Sequence, residues 1–249
     1  NLSGGMQQRV GLARALATDA PIMLMDEAFS ALDPLIRRGM QDELIRLQEE
    51  LHKTIIFISH DIQESLKIGD RVAIMKDGYL VQVGTPQEIV TNPVDEYIRA
   101  FTLDVNRAQV LKTGSILRTT SPFNLGTGPA ANALKQMKEF QHQHMYVVDE
   151  TGQPVGLLIR DELEAAVHQG VTEVQKVMVT NFPTVDINNT LEDIFHIAQE
   201  NIPLAVLSDH GKFRGVVEPS DIFSSISTPA TIGNGAASSA AVEPTAVTA

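Results

Sequence analysis

Two short apolar runs, residues 22–25 and 54–59, are each followed directly by charged or ionisable residues. The first run predicts a buried strand of a mostly parallel sheet, and the composition of the second predicts another strand. Between them, leucines and a methionine recur at helical spacing over residues 35–51, which predicts an amphipathic helix. Alternating residues on both sides of Asp77-Gly78 predict a β-hairpin. The first hundred residues therefore predict an α/β fold.

The second part of the chain repeats an apolar pattern. Residues 145–156 align with residues 204–215, and two glycines in each segment coincide at an offset of 59 residues. Each copy predicts a helix, a strand, a glycine turn, a strand and a helix, which is too little to bury its own apolar face. We therefore expect one α/β module built from both copies. From Thr228 onward small and polar residues dominate, which predicts a disordered tail.

Composition excludes several classes of function. The 249 residues include no cysteine, which argues against a disulfide framework or a thiolate metal site. No apolar run approaches the roughly 20 residues of a membrane span. The net charge of −12 disfavours nonspecific attraction to nucleic acid. We expect a soluble protein that does not bind nucleic acid.

Glycines precede the first predicted helix. Ser3 is placed to cap this helix, and Gly4 and Gly5 leave the backbone free to approach a ligand closely. Helical composition begins at Gln7. Exposed N–H groups and the helix dipole would form an anion site at this end. An ordinary glycine loop before a capped helix is the alternative interpretation.

Charged residues follow the two predicted parallel strands. Asp26 and Glu27 come after the first strand, at the edge where open α/β sheets bind ligands. His60 comes after the second strand, 33 residues beyond Glu27. Asp33 can cap the next helix, with Pro34 at its first position. Acids that favour a helix N-terminus and a structural histidine are the alternatives to a catalytic site.

In this order and spacing, residues 2–9, 22–27, 30–33 and His60 resemble four motifs of the P-loop ATPase domain of ABC transporters, all from its C-terminal half. They correspond to the signature motif, Walker B, the D-loop and the switch histidine. The resemblance implies that Asp26 helps to hold Mg²⁺, Glu27 orients the attacking water and His60 bonds the γ-phosphate. The residues that it assigns to ATP across a dimer are Ser3, Gly4, Gly5, Gln7 and Asp33.

A Walker A loop is absent from the sequence. That loop requires Gly-x-x-x-x-Gly-Lys followed by Ser or Thr, because its N–H groups wrap the phosphates and its Lys neutralises them. The only Gly-Lys pair is Gly211-Lys212, and Phe213 follows it. The chain also starts at Asn1, on the signature motif. We expect a fragment whose N-terminal catalytic half lies outside this sequence.

The repeat resembles a tandem of CBS motifs, which pack into one regulatory module. Many such modules bind an adenine nucleotide through a hydroxyl residue and an aspartate after the second strand. Asp221 fits the ribose position in the second copy, but Glu218 replaces the hydroxyl residue and would repel phosphate. The first copy has Ile159 and Glu162 at these places. We expect a degenerate or non-nucleotide site rather than an AMP site, and a helix N-cap explains Asp221 equally well.

An ABC ATPase joined to CBS motifs, together with the run 25–44, resembles the ATP-binding subunits of glycine betaine/proline importers. The implied domains are the C-terminal part of the ATPase (1–103), a first CBS motif (104–168), a second CBS motif (169–227) and the tail (228–249).

The resemblance implies a head-to-tail homodimer that binds two MgATP. It would drive a membrane permease fed by a substrate-binding protein, at the cytoplasmic face of the plasma membrane. A free-standing CBS module with a vestigial ATPase remnant is one alternative. A non-transport ABC ATPase is the other.

Overall fold

The computed structural model describes residues 4–18, 20–198 and 202–227 and divides the chain into two compact units. The first unit extends to Asn106 and the second begins at Arg107. Ser3 and the predicted tail from Thr228 lie outside the described residues. Among the residues described, none of the helices has both the length and the apolar character needed to cross a membrane.

The first unit combines helices with two small sheets. Its elements are α1 (Gly4–Ala17), β1 (Ile22–Asp26), α2 (Pro34–Leu51), β2 (Thr54–Ile58), α3 (Ile62–Ile68), β3 (Val72–Lys76), β4 (Tyr79–Gly84), α4 (Pro86–Thr91) and α5 (Glu96–Phe101). β1 and β2 pair in parallel, and β3 and β4 pair antiparallel. Asp77 and Gly78 have φ of 50° and 83°, as a tight hairpin turn requires, which confirms the predicted hairpin.

Only one face of the β1–β2 sheet is covered. Met23 and Met25 point into a core that includes Phe29 and Leu44, and each methionine is 7% exposed. The apolar side chains of the opposite face are 51–76% exposed: Ile22, Leu24, Ile56 and Ile58. The prediction of a buried strand at residues 22–25 therefore holds for one face only, because nothing within the described residues covers the second face.

The second unit is built from two similar halves. Its elements are α6 (Arg107–Val110), β5 (Phe123–Asn124), α7 (Ala130–Glu139), β6 (His144–Val148), β7 (Pro154–Ile159), α8 (Arg160–His168), β8 (Thr184–Asp186), α9 (Leu191–Phe195), β9 (Leu204–Leu207), β10 (Phe213–Val217) and α10 (Pro219–Ser227). Each half has a three-stranded sheet, β5-β6-β7 or β8-β9-β10. In each sheet the first strand is parallel to the middle one and the last is antiparallel to it. The predicted structural repeat is confirmed.

Glycines at the same offset play the same structural roles in both halves. Gly152 and Gly211 form the turns of the two hairpins with φ of 85° and 71°. Gly156 lies against Met178, where an added Cβ would come within 2.5 Å of the sulfur. Gly215 has φ of 152°, and a Cβ there would collide with the carbonyl oxygen of Arg118. The close approaches explain why glycine is needed in the third strand of each sheet.

Each half is completed by a segment that precedes the other half. Arg118, before the first repeat, exchanges two backbone hydrogen bonds of 2.9 Å with Val216 of β10. Val179, before the second repeat, exchanges two of the same length with Leu157 of β7. The cores follow the same exchange, because Leu111 packs in the second half's core. The boundaries of the apolar cores thus differ from the sequence boundary of the repeats.

Candidate functional site

The ends of the two parallel strands meet at one edge of the sheet. Asp26, the last residue of β1, lies beside Ile58, the last residue of β2. Glu27 follows with φ of 49°, and its N–H donates to the carbonyl of Ile58 at 3.0 Å. The N–H of His60 donates to Oε1 of Glu27 at 3.0 Å, and Nδ1 of His60 lies 2.8 Å from each carboxylate oxygen. The two residues predicted to be catalytic are therefore in direct contact.

The carboxylate of Glu27 changes the acid–base behaviour of His60. Its hydrogen bond and its negative charge raise the pKa of the imidazole, and Asp61 and Glu64 add smaller effects in the same direction. The side chain of His60 is 77% exposed and that of Glu27 is 36% exposed. The site is thus open to a ligand from solvent while its two side chains are paired.

We expect His60 to titrate above the ordinary histidine pKa of about 6.5, and Glu27→Gln to lower this pKa. Because the folded-state pKa is raised, the pair's contribution to stability is fully present below about pH 6.5 and is lost as the pH rises through the folded-state value. An NMR titration of the imidazole Cε1–H measures the pKa directly. Glu43→Gln, on the exposed part of α2, is the control. An unchanged His60 pKa in Glu27→Gln would rule out Glu27 as the cause.

Asp33 caps α2 as predicted. Its Oδ1 accepts hydrogen bonds from the N–H groups of Leu35 at 3.2 Å and Ile36 at 3.1 Å, and Pro34 is the first residue of the helix. The cap fixes the chain that leads from Glu27 into α2.

The first helix begins earlier than the sequence predicts. α1 starts at Gly4, so Gly4 and Gly5 lie in its first turn rather than in a loop. Gln7 is an exposed residue of the same helix. The N–H groups of a first helical turn have no intrahelical acceptor, and a helix end of this kind is a common anion site in proteins. The predicted glycine loop is therefore wrong, but the backbone N–H groups that were predicted to bind an anion still lie at the start of the helix.

Asp221 lies inside the first turn of α10, which begins at Pro219, so it is not the N-cap of that helix. Its Oδ1 is 2.5 Å from Nη2 of Arg118. Its Oδ2 is buried and has no hydrogen-bond partner in the described part of the chain. The hydrogen bond to Asp221 raises the pKa of Arg118, and the charges of Asp221 and Glu218 add to this effect. Arg118 belongs to no motif, so sequence reasoning missed it.

Glu218 lines a cavity of about 230 Å³ beside the start of β6. Thr120, Ser121, His144 and Tyr146 line it as well. Burial lowers the pKa of His144, and the charge of Glu218 opposes that change. The carboxylate of Glu218 in the cavity wall makes it a poor place for a phosphate group.

The Gly211-Lys212 pair lies in the turn between β9 and β10 and not at the start of a helix. It therefore has none of the geometry of a phosphate-binding loop. Within the described residues there is also no group of three or more His, Asp or Glu side chains that could hold a metal ion by itself.

Comparisons with known proteins define the class. Residues 1–30 match the ABC transporter family model, and residues 126–168 and 171–228 match the CBS domain model. The matches thus indicate part of an ABC transporter domain at residues 1–30 and a pair of CBS domains in the second part of the chain.

Curated relatives specify the family further. The glycine betaine transport ATP-binding protein OpuAA of Bacillus subtilis is 46% identical over 87% of this chain and 51% of its own length. GbuA of Listeria monocytogenes, a glycine betaine/carnitine transport ATP-binding protein, is 41% identical over 91% of this chain and 57% of its own. ProV of Salmonella typhimurium, a glycine betaine/proline betaine transport ATP-binding protein, is 43% identical over 87% and 55%. The chain is thus similar to glycine betaine transport ATP-binding proteins over most of its own length, and it spans about half the length of these relatives.

Proposed function

We propose that this chain is the C-terminal part of the ATP-hydrolysing subunit of an importer for osmoprotectants such as glycine betaine and proline. One observation carries the proposal: Glu27 and His60 are in contact at the carboxyl ends of two parallel strands. The identity of 41–46% to glycine betaine transport ATP-binding proteins supports the transport class and the solute class.

The residues would divide the chemistry as follows. Bound MgATP supplies the γ-phosphoryl group that is transferred to water. Glu27 orients and polarises the water. Nδ1 of His60 is held by Glu27, which leaves Nε2 for a γ-phosphate oxygen, and the raised pKa favours a ring that can donate from both nitrogens.

Asp26 is the proposed protein ligand of Mg²⁺. It is exposed at the end of β1, next to Glu27. A single carboxylate fits the habits of Mg²⁺ in such sites, because the ion keeps several waters and takes its remaining ligands from the nucleotide phosphates. Asp26 thus needs no further acidic cluster.

The proposed assembly is a head-to-tail homodimer. The first turn of α1 (Gly4, Gly5) and the residues Ser3, Gln7 and Asp33 would contact the nucleotide held by the partner subunit. The dimer would couple to a membrane permease at the cytoplasmic face of the plasma membrane, and indirectly to a substrate-binding protein. The uncovered apolar face of the β1–β2 sheet supports a further layer packed on it in the complete ATPase domain, because four large apolar side chains otherwise face water.

The chain as given should bind MgATP only weakly, with a dissociation constant of about 1 mM or higher, and should not hydrolyse it. The reason is that the Walker A contacts to the phosphates are absent from the sequence. Calorimetry on the 249-residue chain measures the affinity. The matched comparison is the product of the same gene extended upstream to include a Walker A segment, which should bind at micromolar concentration. Micromolar binding by the chain itself would contradict the proposal.

A CBS binding module with a vestigial ATPase remnant is the second candidate, favoured by the missing Walker A loop alone. Sequencing the DNA upstream of the codon for Asn1 separates the two. An in-frame Walker A motif excludes the remnant, and its absence excludes an active ATPase encoded in one chain. Co-purification of a permease separates a transporter subunit from a non-transport ABC ATPase.

A further inference from the structure

A buried group of hydrogen bonds connects α2 to the residue that precedes His60. Gln41 of α2 is 7% exposed and Glu64 of α3 is 6% exposed. Nε2 of Gln41 donates to Oε1 of Glu64 at 2.9 Å, and the hydroxyl of Ser59 donates to Oε2 of Glu64. Each oxygen of the Glu64 carboxylate therefore receives its own donor.

Burying these groups costs free energy that a well-packed apolar contact would not cost. The neighbouring positions Leu44 and Leu66 are apolar and buried, so this part of the α2–α3 contact can accommodate hydrocarbon. A hydrogen-bonded carboxylate orients the donors around it, whereas a leucine at the same place would not, because hydrogen bonds have preferred directions and apolar contacts do not. Here the carboxylate of Glu64 orients the hydroxyl of Ser59.

Ser59 is tied to both sides of His60. Its oxygen also accepts a hydrogen bond from the N–H of Asp61 at 3.0 Å. Oδ1 of Asp61 in turn caps α3 by accepting from the N–H of Gln63 at 2.9 Å. The residues before and after His60 are thus fixed, which leaves the N–H of His60 directed at Oε1 of Glu27, 3.0 Å away.

Arg37, one helical turn before Gln41 on the same side of α2, makes a second connection. Nη2 of Arg37 donates to the carbonyl of Leu32 at 3.2 Å, and Nη1 lies 3.7 Å from Oδ2 of Asp61. Leu32 directly precedes Asp33. α2 therefore contacts the loop that follows Glu27 and the loop around His60 through Arg37, and Gln41 reaches the His60 loop only through Glu64.

We propose that Glu64 and Gln41 are positioning residues that hold His60 against Glu27 by fixing Ser59. In this role they act through Ser59 and need no contact of their own with the nucleotide or the attacking water. Their importance for catalysis rests on the proposed function, since His60 matters only if the intact protein hydrolyses ATP. Their effect on the His60 loop does not depend on that function.

Hydrogen exchange of single amides in the 249-residue chain tests the positioning directly. In Glu64→Ala and in Gln41→Leu, the amides of His60 and Asp61 should exchange about tenfold faster or more, because local opening becomes easier. The amide of Ile74, in the middle of β3, should keep its rate. Glu49→Ala, an exposed carboxylate on the same helix α2, is the matched control and should change none of these rates.

Conservative variants decide the case if Glu64→Ala fails to fold. Ser59→Ala removes one hydroxyl and should accelerate exchange at both His60 and Asp61. Glu64→Gln keeps the shape and one acceptor, and should retain much of the protection. Unchanged exchange at His60 in Ser59→Ala and in whichever other variants fold would overturn the proposal.

A kinetic measurement on the longer, hydrolysing protein adds the link to catalysis. Gln41→Leu should lower kcat severalfold and change KM for ATP much less, since it disturbs only the proposed contact between His60 and the γ-phosphate. An unchanged kcat beside faster exchange at His60 would overturn the positioning role in catalysis. An inactive wild-type protein would count against the proposed function and leave the exchange result intact.

Discussion

Glu27→Gln should reduce ATP hydrolysis by about 10² or more in the longer protein that contains a Walker A loop, while ATP still closes the dimer. The amide keeps the size of the carboxylate and can still accept from the N–H of His60, which Glu27 now does at 3.0 Å. It removes the negative charge that polarises water and that raises the pKa of His60. Phosphate release by the assembled transporter gives the rate.

Glu43→Gln serves as the control, because Glu43 pairs with Arg46 on α2, away from the strand ends. Its rate should equal that of the wild type. A Glu27→Gln transporter that hydrolyses ATP at a near wild-type rate would contradict the catalytic assignment.

His60→Ala should also lower the rate of ATP hydrolysis. In the double variant with Glu27→Gln, the increase in activation free energy should be smaller than the sum of the two single increases, since the side chains are in contact.

In the longer protein we expect salt to activate ATP hydrolysis through the second unit, so removal of residues 107–249 should abolish this activation and leave basal hydrolysis intact. A regulatory unit changes the activity only if some ligand or condition distinguishes its two states. Glu218 in the cavity wall and the closed Arg118–Asp221 pair argue against a phosphate ligand. Ionic strength remains as an input, because salt screens exposed charge pairs.

Transport into vesicles across a range of internal salt concentrations tests this expectation. The cut before Arg107 follows the boundary between the two compact units, so the remaining unit keeps its own core. An unchanged activation curve after the deletion would place the sensor elsewhere in the transporter.

Local chemistry made part of the site predictable. The helix cap at Asp33 and Pro34 depends only on neighbouring residues, and so does the hairpin turn at Asp77 and Gly78. Both were predicted correctly. The meeting of Glu27 and His60 follows from one non-local assumption, that two parallel strands end at the same edge. It requires only that the two strands be assigned correctly, and no knowledge of how their side chains pack is needed.

Other features depend on which side chains meet in three dimensions. Arg118 and Asp221 are 103 residues apart, and Gln41 and Glu64 are 23 apart on different helices. No pattern within either segment distinguishes these residues from ordinary polar positions. The uncovered face of β1 and β2 was missed for a related reason, since an apolar strand looks the same whether or not a neighbouring layer is present.

The exchange of segments between the two halves of the second unit makes them interdependent. Leu111 and Arg118 belong to the first half by sequence but complete the second, and Val174 and Val179 do the reverse. Neither half retains its whole core when the chain is cut between them. The pair should therefore unfold in a single cooperative transition. Its folding rate should be limited by closing loops of about a hundred residues rather than by either hairpin.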